Sequence, residues 1–360
     1  MLERELDQAK AEKFGARMVE ILNDGVLALM TSIGHQIGLF EAMADLAPST
    51  SAEIARAAGA NERYVREWLG AMVAGRVVEY DPANRTYVLP PENAASLTRR
   101  AGSRNLATAT QVMSCMGGVE QGIVECFRKG GGLPYSAYSR FHQLMAEGSV
   151  QTYDETLLDR TLPAIAGLVD RLAEGIDVLD LGCGSGHAIN LMARQFPRSR
   201  FTGYDFAPEA ITAARKEAGS WNLSNAHFEV QDAAVLAERD AYDFITTFDA
   251  IHDQAQPAKV LDAIAAALRD KGTYLMVDVD ASSELADNLS RPLAPFIYGV
   301  STMHCMSVSL GLNGAGLGAM WGEQKARQML ADAGFSRVEV HRIPGDIFNS
   351  YYIAKKGVTA

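Results

Sequence analysis

The sequence predicts an α/β protein, a doubly wound sheet of seven strands behind a mostly helical N-terminal domain. Three observations predict it. Short apolar runs alternate with helical periodicity from Ile176 onward. The first of those runs breaks into three glycines within five residues, Gly182-Cys183-Gly184-Ser185-Gly186. Ahead of the alternation, residues 50–89 read as helix, turn, helix and β-hairpin.

Each element follows from its residues. Val19, Leu22, Val26, Leu29, Ile33, Ile37 and Phe40 recur at three- and four-residue steps, an apolar helical stripe that suits either core or a homodimer seam. Thr50 and Glu53 have the spacing of a capping box, and Asn61 can cap a second helix carrying Val65, Trp68, Leu69 and Met72 inward. A turn at Asp81-Pro82-Ala83-Asn84 joins two short strands, which completes a winged helix. Residues 1–100 hold 11 Lys and Arg against 14 Asp and Glu. DNA affinity rests largely on neutralised phosphates, so a structural or dimerising role is expected and nucleic acid is not.

The expected domains are 1–100, a helical linker over 101–160, and a catalytic domain over 161–360 with a Met- and Gly-rich lid at 281–322. Gly130-Gly131-Gly132 is the expected hinge, and one long helix is expected from Asp154 to about Leu172. Strands are expected at Ile176–Leu181, Arg200–Tyr204, Ala226–Val230, Phe244–Phe248, Thr273–Val279, Val338–Arg342 and Ser350–Ala354, the last two antiparallel across a short loop. The net charge of −11, the absence of a long apolar run and four cysteines without C-x-x-C spacing point to a cytoplasmic protein without disulfides or zinc fingers. No metal constellation is expected, because Asp249, Asp278 and Asp280 fall at different strand ends.

A buried strand, a glycine turn and a helix N-terminus let a ligand approach bare backbone, and Asp205, ending the second strand, suits the hydroxyls of a ribose. A dinucleotide fingerprint would need glycine at position 187, where His187 stands. Asp180-x-Gly182-Cys183-Gly184-x-Gly186, with Asp205 following, instead resembles motif I of the class I S-adenosyl-L-methionine (SAM) methyltransferases. The resemblance implies a Rossmann-like sheet whose glycine turn wraps the methionine part of SAM. It further implies that Asp205 and Phe206 meet the nucleoside, Asp232 and Ala233 the adenine, and Phe248 and Asp249 the rest of the cofactor.

The segment Asp249-Ala250-Ile251-His252-Asp253 is similar to the His-Asp motif of the winged-helix, plant and bacterial small-molecule O-methyltransferases. In that family the histidine is the general base, here His252, and Asp278 stands where an acid steadies it. Phe141, Met145 and Ser149 match the family's helix entering the site. The implied activity is methylation of a small, hydrophobic or aromatic acceptor by a homodimer. The family's second acid is missing: its place falls at Ala319-Met320-Trp321-Gly322. A competing reading is a winged-helix transcription regulator that senses SAM or a metabolite.

Overall fold

The computed structural model describes residues 6–356, and the chain divides into two compact units, 1–114 and 115–360. In the first unit, Asp7 caps a helix over Gln8–Gln36 by accepting from the Lys10 amide. Gly38, at φ 74°, turns the chain into a second helix, Leu39–Ala44. The expected stripe is therefore cut. Phe40 is wholly buried with Leu39, Ile54, Trp68, Leu69 and Met72, whereas Val19, Leu22 and Val26 are each more than half exposed.

The capping box forms in both directions: Thr50 Oγ1 accepts from the Glu53 amide and Glu53 Oε2 from the Thr50 amide. Helices Ser51–Ala57 and Glu62–Ala74 follow, then β1 (Glu79–Asp81) and β2 (Thr86–Val88), paired antiparallel. On the would-be recognition helix Arg63 pairs with Glu67 and Arg66 with Glu62, so its cations are already matched.

The second unit is built on seven strands: β3 (Asp177–Leu181), β4 (Arg200–Asp205), β5 (Ala226–Val230), β6 (Tyr242–Phe248), β7 (Leu268–Val279), β8 (Phe335–His341) and β9 (Asn349–Lys356). Their order is β5-β4-β3-β6-β7-β9-β8. The first five run parallel, and β9 is antiparallel to both its neighbours. Side-chain alternation gives each face its own core. Val178, Phe201, Phe244, Leu275 and Tyr351 bury on one side, and Leu179, Ile245, Tyr274, Met276 and Tyr352 on the other. The strand order reverses at β3, so a crevice opens beyond the carboxyl ends of β3, β4 and β6.

Two expectations change. The single helix from Asp154 to Leu172 is instead the end of helix Phe141–Thr156, a π-turn at Leu157–Thr161 and a separate helix, Leu168–Glu174. Pro163 has no amide to donate and Gly167 sits at φ 72°, so the helix cannot run through. Strand β7 begins five residues early, at Leu268, because three extra residues bulge out between Leu268 and Thr273, with Lys271 at φ 63°.

Candidate functional site

The glycine turn after β3 needs its glycines. Gly182, Gly184 and Gly186 have φ of 77°, 52° and 72°. A Cβ on Gly186 would lie 2.5 Å from the Phe228 ring, and one on Gly182 2.8 Å from the Ala250 side chain. Gly184 instead faces open space. Several amides of the turn are already engaged. Gly182 N and Cys183 N donate to Tyr204 O, Gly184 N to Asp205 Oδ2 (2.9 Å) and Gly186 N to Cys183 O.

Asp205 thus pins the turn, and its other oxygen accepts from Ala207 N at 2.9 Å. A carboxylate has further lone pairs, so ribose hydroxyls remain within its capacity. Phe206 beside it is half exposed and meets Tyr135 edge to face at 5.3 Å. Asp232 Oδ1 accepts from Ala234 N and caps the short turn Ala233–Val235; Ala233 is buried. Phe248 packs on Tyr153, with ring centroids 4.8 Å apart.

Three acids ring the crevice. Asp180, 1% exposed, accepts from Thr246 Oγ1 at 2.8 Å, and burial lifts its pKa to about 7. Burial also raises Asp205. Asp249 sits at φ 50°, and burial together with the nearby Asp278 charge lifts its pKa to about 8. Its Oδ1 is buried without a hydrogen-bond partner. Although they end different strands, Asp249 and Asp278 share the carboxyl edge of neighbouring parallel strands, so their fields overlap. An unpartnered buried carboxylate oxygen beside an open glycine turn fits a ligand with an ammonium and a sulfonium group.

Beyond β6 lies a tight polar group. His252, 4% exposed, places Nδ1 2.7 Å from Asp278 Oδ1. The same oxygen accepts from Trp321 Nε1 at 3.0 Å and from Val279 N at 2.8 Å. The indole comes from the stretch in which the second acid was expected, and it donates to Asp278. Nε2 lies 3.2 Å from Asp253 Oδ1, without the alignment of a hydrogen bond. Burial alone would lower the His252 pKa, but the flanking charges of Asp278 and Asp253 raise it well above the usual value. Burial would likewise raise Asp253, yet the His252 charge holds it low.

The 281–322 segment is a chain of short helices fastened to this group. Gly318 N donates to His252 O, Ala315 N to Ala255 O and Ser309 Oγ to Gln254 O. A π-turn at Ser301–Cys305 brings His304 and Cys305 inward, both buried. His304 stacks on Phe141 at 3.7 Å, and burial lowers its pKa to about 4. Met145 is exposed and Ser149 half-buried on the same helix as Phe141.

Two groupings escape sequence reasoning. His187 lies between Glu217 Oε1 (2.8 Å) and Asp154 Oδ1 (3.1 Å), a clamp across three helices. The donor atoms of His252, Asp253 and Cys305 lie within 4.8 Å of one another, although no metal constellation was expected. The partners of His187 lie 33 and 30 residues away, and Cys305 lies 52 residues beyond the adjacent His252–Asp253 pair, so no local spacing announces either gathering.

An open α/β sheet with a glycine turn at its switch point, buried acids around it and a buried imidazole nearby is the arrangement in which nucleoside cofactors are bound. Residues 172–334 match the family model of a methyltransferase domain, and residues 25–99 that of an Rv2258c-like winged HTH domain. The protein is an SAM-dependent methyltransferase with an N-terminal winged helix-turn-helix domain.

Among curated relatives, it is 24% identical over 213 residues to a malonyl-[acyl-carrier protein] O-methyltransferase of Paenibacillus sp., covering 57% of this chain and 73% of that one. It is 32% identical over 139 residues to a trans-aconitate 2-methyltransferase of Variovorax paradoxus, covering 38% of this chain but only about half (51%) of that one. Among solved structures, an O-methyltransferase family protein from Burkholderia thailandensis superposes with a TM-score of 0.69 at 14% identity, over 96% of this chain and 98% of that one. Human N-acetylserotonin methyltransferase, solved with SAM, gives 0.67 at 15% identity, over 99% and 100%. At such identities these two show the shared fold.

Proposed function

We propose that the chain methylates a small acceptor, hydrophobic or aromatic, at an oxygen atom, with His252 as general base. When bound, SAM supplies an electrophilic methyl carbon on a positively charged sulfur. Asp205 would hold the ribose, Asp232 and Ala233 the adenine, and Asp180 and Asp249 the cationic end, with Phe206, Phe248, Met145 and Ser149 shaping the cavity around Gly182–Gly186. Methyl transfer would break the carbon–sulfur bond and release S-adenosylhomocysteine, while His252 Nε2 would take the proton that the acceptor oxygen gives up. Asp278 orients the ring through Nδ1, and Trp321 fixes Asp278.

The observation that carries this reading is the buried Trp321–Asp278–His252 chain, which engages Nδ1 and leaves Nε2 free of a hydrogen bond to Asp278 or Trp321. The aromatic cluster of Phe141, Tyr135 and Tyr138 packed around His304 supports an apolar, aromatic acceptor. The test is transfer of a labelled methyl group from SAM to a panel of phenols and hydroxy acids. Turnover with no member, by a protein that binds S-adenosylhomocysteine, would argue against a small oxygen acceptor.

We also propose that the chain works as a homodimer through helix Gln8–Gln36. Val19, Leu22, Val26, Leu29, Ile33 and Ile37 form an exposed apolar row along it.

A further inference from the structure

His252, Asp253, His304 and Cys305 come from two segments of the chain that meet in the interior beside the crevice. Their chemistry is that of a metal-binding set: an imidazole, a carboxylate, a thiol and a second imidazole. The donor atoms of His252, Asp253 and Cys305 all lie within 4.8 Å of one another. Tetrahedral zinc-type sites with bonds of about 2.0–2.3 Å separate their donors by roughly 3.3–3.7 Å, so small side-chain adjustments close the set on one ion.

Three further observations point the same way. Nδ1 of His252 is held by Asp278, which leaves Nε2 as the atom facing the others. A carboxylate behind a ligating histidine is the usual outer support of a metal site, and here Trp321 steadies it in turn. Asp253 Oδ1 is ion-paired with Nε2 at 3.2 Å but lacks the alignment of a hydrogen bond. Both ring nitrogens of His304, a fully buried side chain, also lack a hydrogen-bond partner, and its Nδ1 is 3.9 Å from Asp253 Oδ2. Buried polar atoms left in this state are costly unless something binds them.

We propose that His252 Nε2, Asp253 and Cys305, with His304 at hand as a fourth ligand, form a site for one thiophilic divalent cation of the zinc class. This rests on the reading of His252 as the base. An ion on Nε2 occupies the lone pair that must accept the acceptor's proton, so metal loading silences methyl transfer and chelation restores it.

The test uses the full-length protein, stripped with a chelator and titrated with Co²⁺ as the probe. One Co²⁺ per chain is expected, with an intense thiolate-to-metal absorption band that disappears in Cys305→Ser and weakens in Asp253→Asn. Zn²⁺ at one equivalent should lower wild-type turnover at least tenfold, reversibly with chelator, and leave Cys305→Ser much less affected. Should Cys305→Ser fail to fold, Cys305→Ala carries the same comparison. No stoichiometric Co²⁺, a band that survives loss of the thiol, or equal Zn²⁺ inhibition of both proteins overturns the proposal. The base assignment is judged separately, by turnover of metal-free His252→Ala, so either idea can fall alone.

Discussion

At the scale of single residues, the site works through buried charge. His252→Ala removes the proton acceptor and should lower turnover by about 10²–10⁴ while S-adenosylhomocysteine still raises the melting temperature. Unchanged turnover, measured at saturating SAM, would reject the base assignment. Trp321→Phe keeps the ring but deletes the N–H on Asp278; the pH profile of turnover should move, because the acid that supports His252 loses a donor. Asp249 offers a test of burial. Its carboxyl holds a proton in the fold up to about pH 8, whereas in the unfolded chain it ionises near ~4. The folded state thus binds the extra proton, and stability falls as pH rises between those values. Asp249→Asn should flatten that decline in melting temperature between pH 5 and 8, and an unaltered slope would show that Asp249 does not cause it.

At the scale of elements, the glycine turn runs straight into the His187 clamp, since Gly186 caps the helix that His187 begins. Gly186→Val forces a side chain into left-handed backbone and against Phe228 and Ala214. Overpacking costs roughly 1–3 kcal/mol and the backbone strain about 1–2 more, so chemical denaturation should show a large loss. His187 binds helix Phe141–Thr156, through Asp154, to helix Pro208–Ser220, through Glu217. Burial opposes its charge, but Glu217 and then Asp154 prevail and its pKa is raised. That stabilisation is complete below the unfolded value near ~6.5 and fades as pH climbs through the raised folded value. His187→Gln should therefore cost more stability at pH 6 than at pH 9, read by thermal melting.

At the scale of the whole molecule, the exposed row on helix Gln8–Gln36 calls for a covering surface of its own kind. Light scattering should find a dimer, and Leu22→Glu with Val26→Glu should yield monomers. A wild-type monomer at micromolar concentration would remove the basis for that seam. On the second helix of the winged helix, Arg63 and Arg66 pair with Glu67 and Glu62, which leaves that helix near neutral, whereas DNA affinity rests largely on phosphate neutralisation.

The sheet, the glycine turn, the wing and the likeness to SAM methyltransferases were legible in the residues, because periodicity, capping and turn chemistry are local. His252 and Asp278 were legible only through family likeness; their 2.7 Å contact depends on two parallel strands ending side by side. Only packing brought Trp321 onto Asp278, let Asp205 pin the turn through Gly184, and joined three helices at His187. It also gathered His252, Asp253, His304 and Cys305, through a π-turn that no spacing reveals. The long helix ending at Leu172 failed for the same reason in reverse: apolar spacing continued past a proline and a left-handed glycine that the backbone could not ignore. Local chemistry names elements, whereas contacts between distant segments are set by how those elements pack.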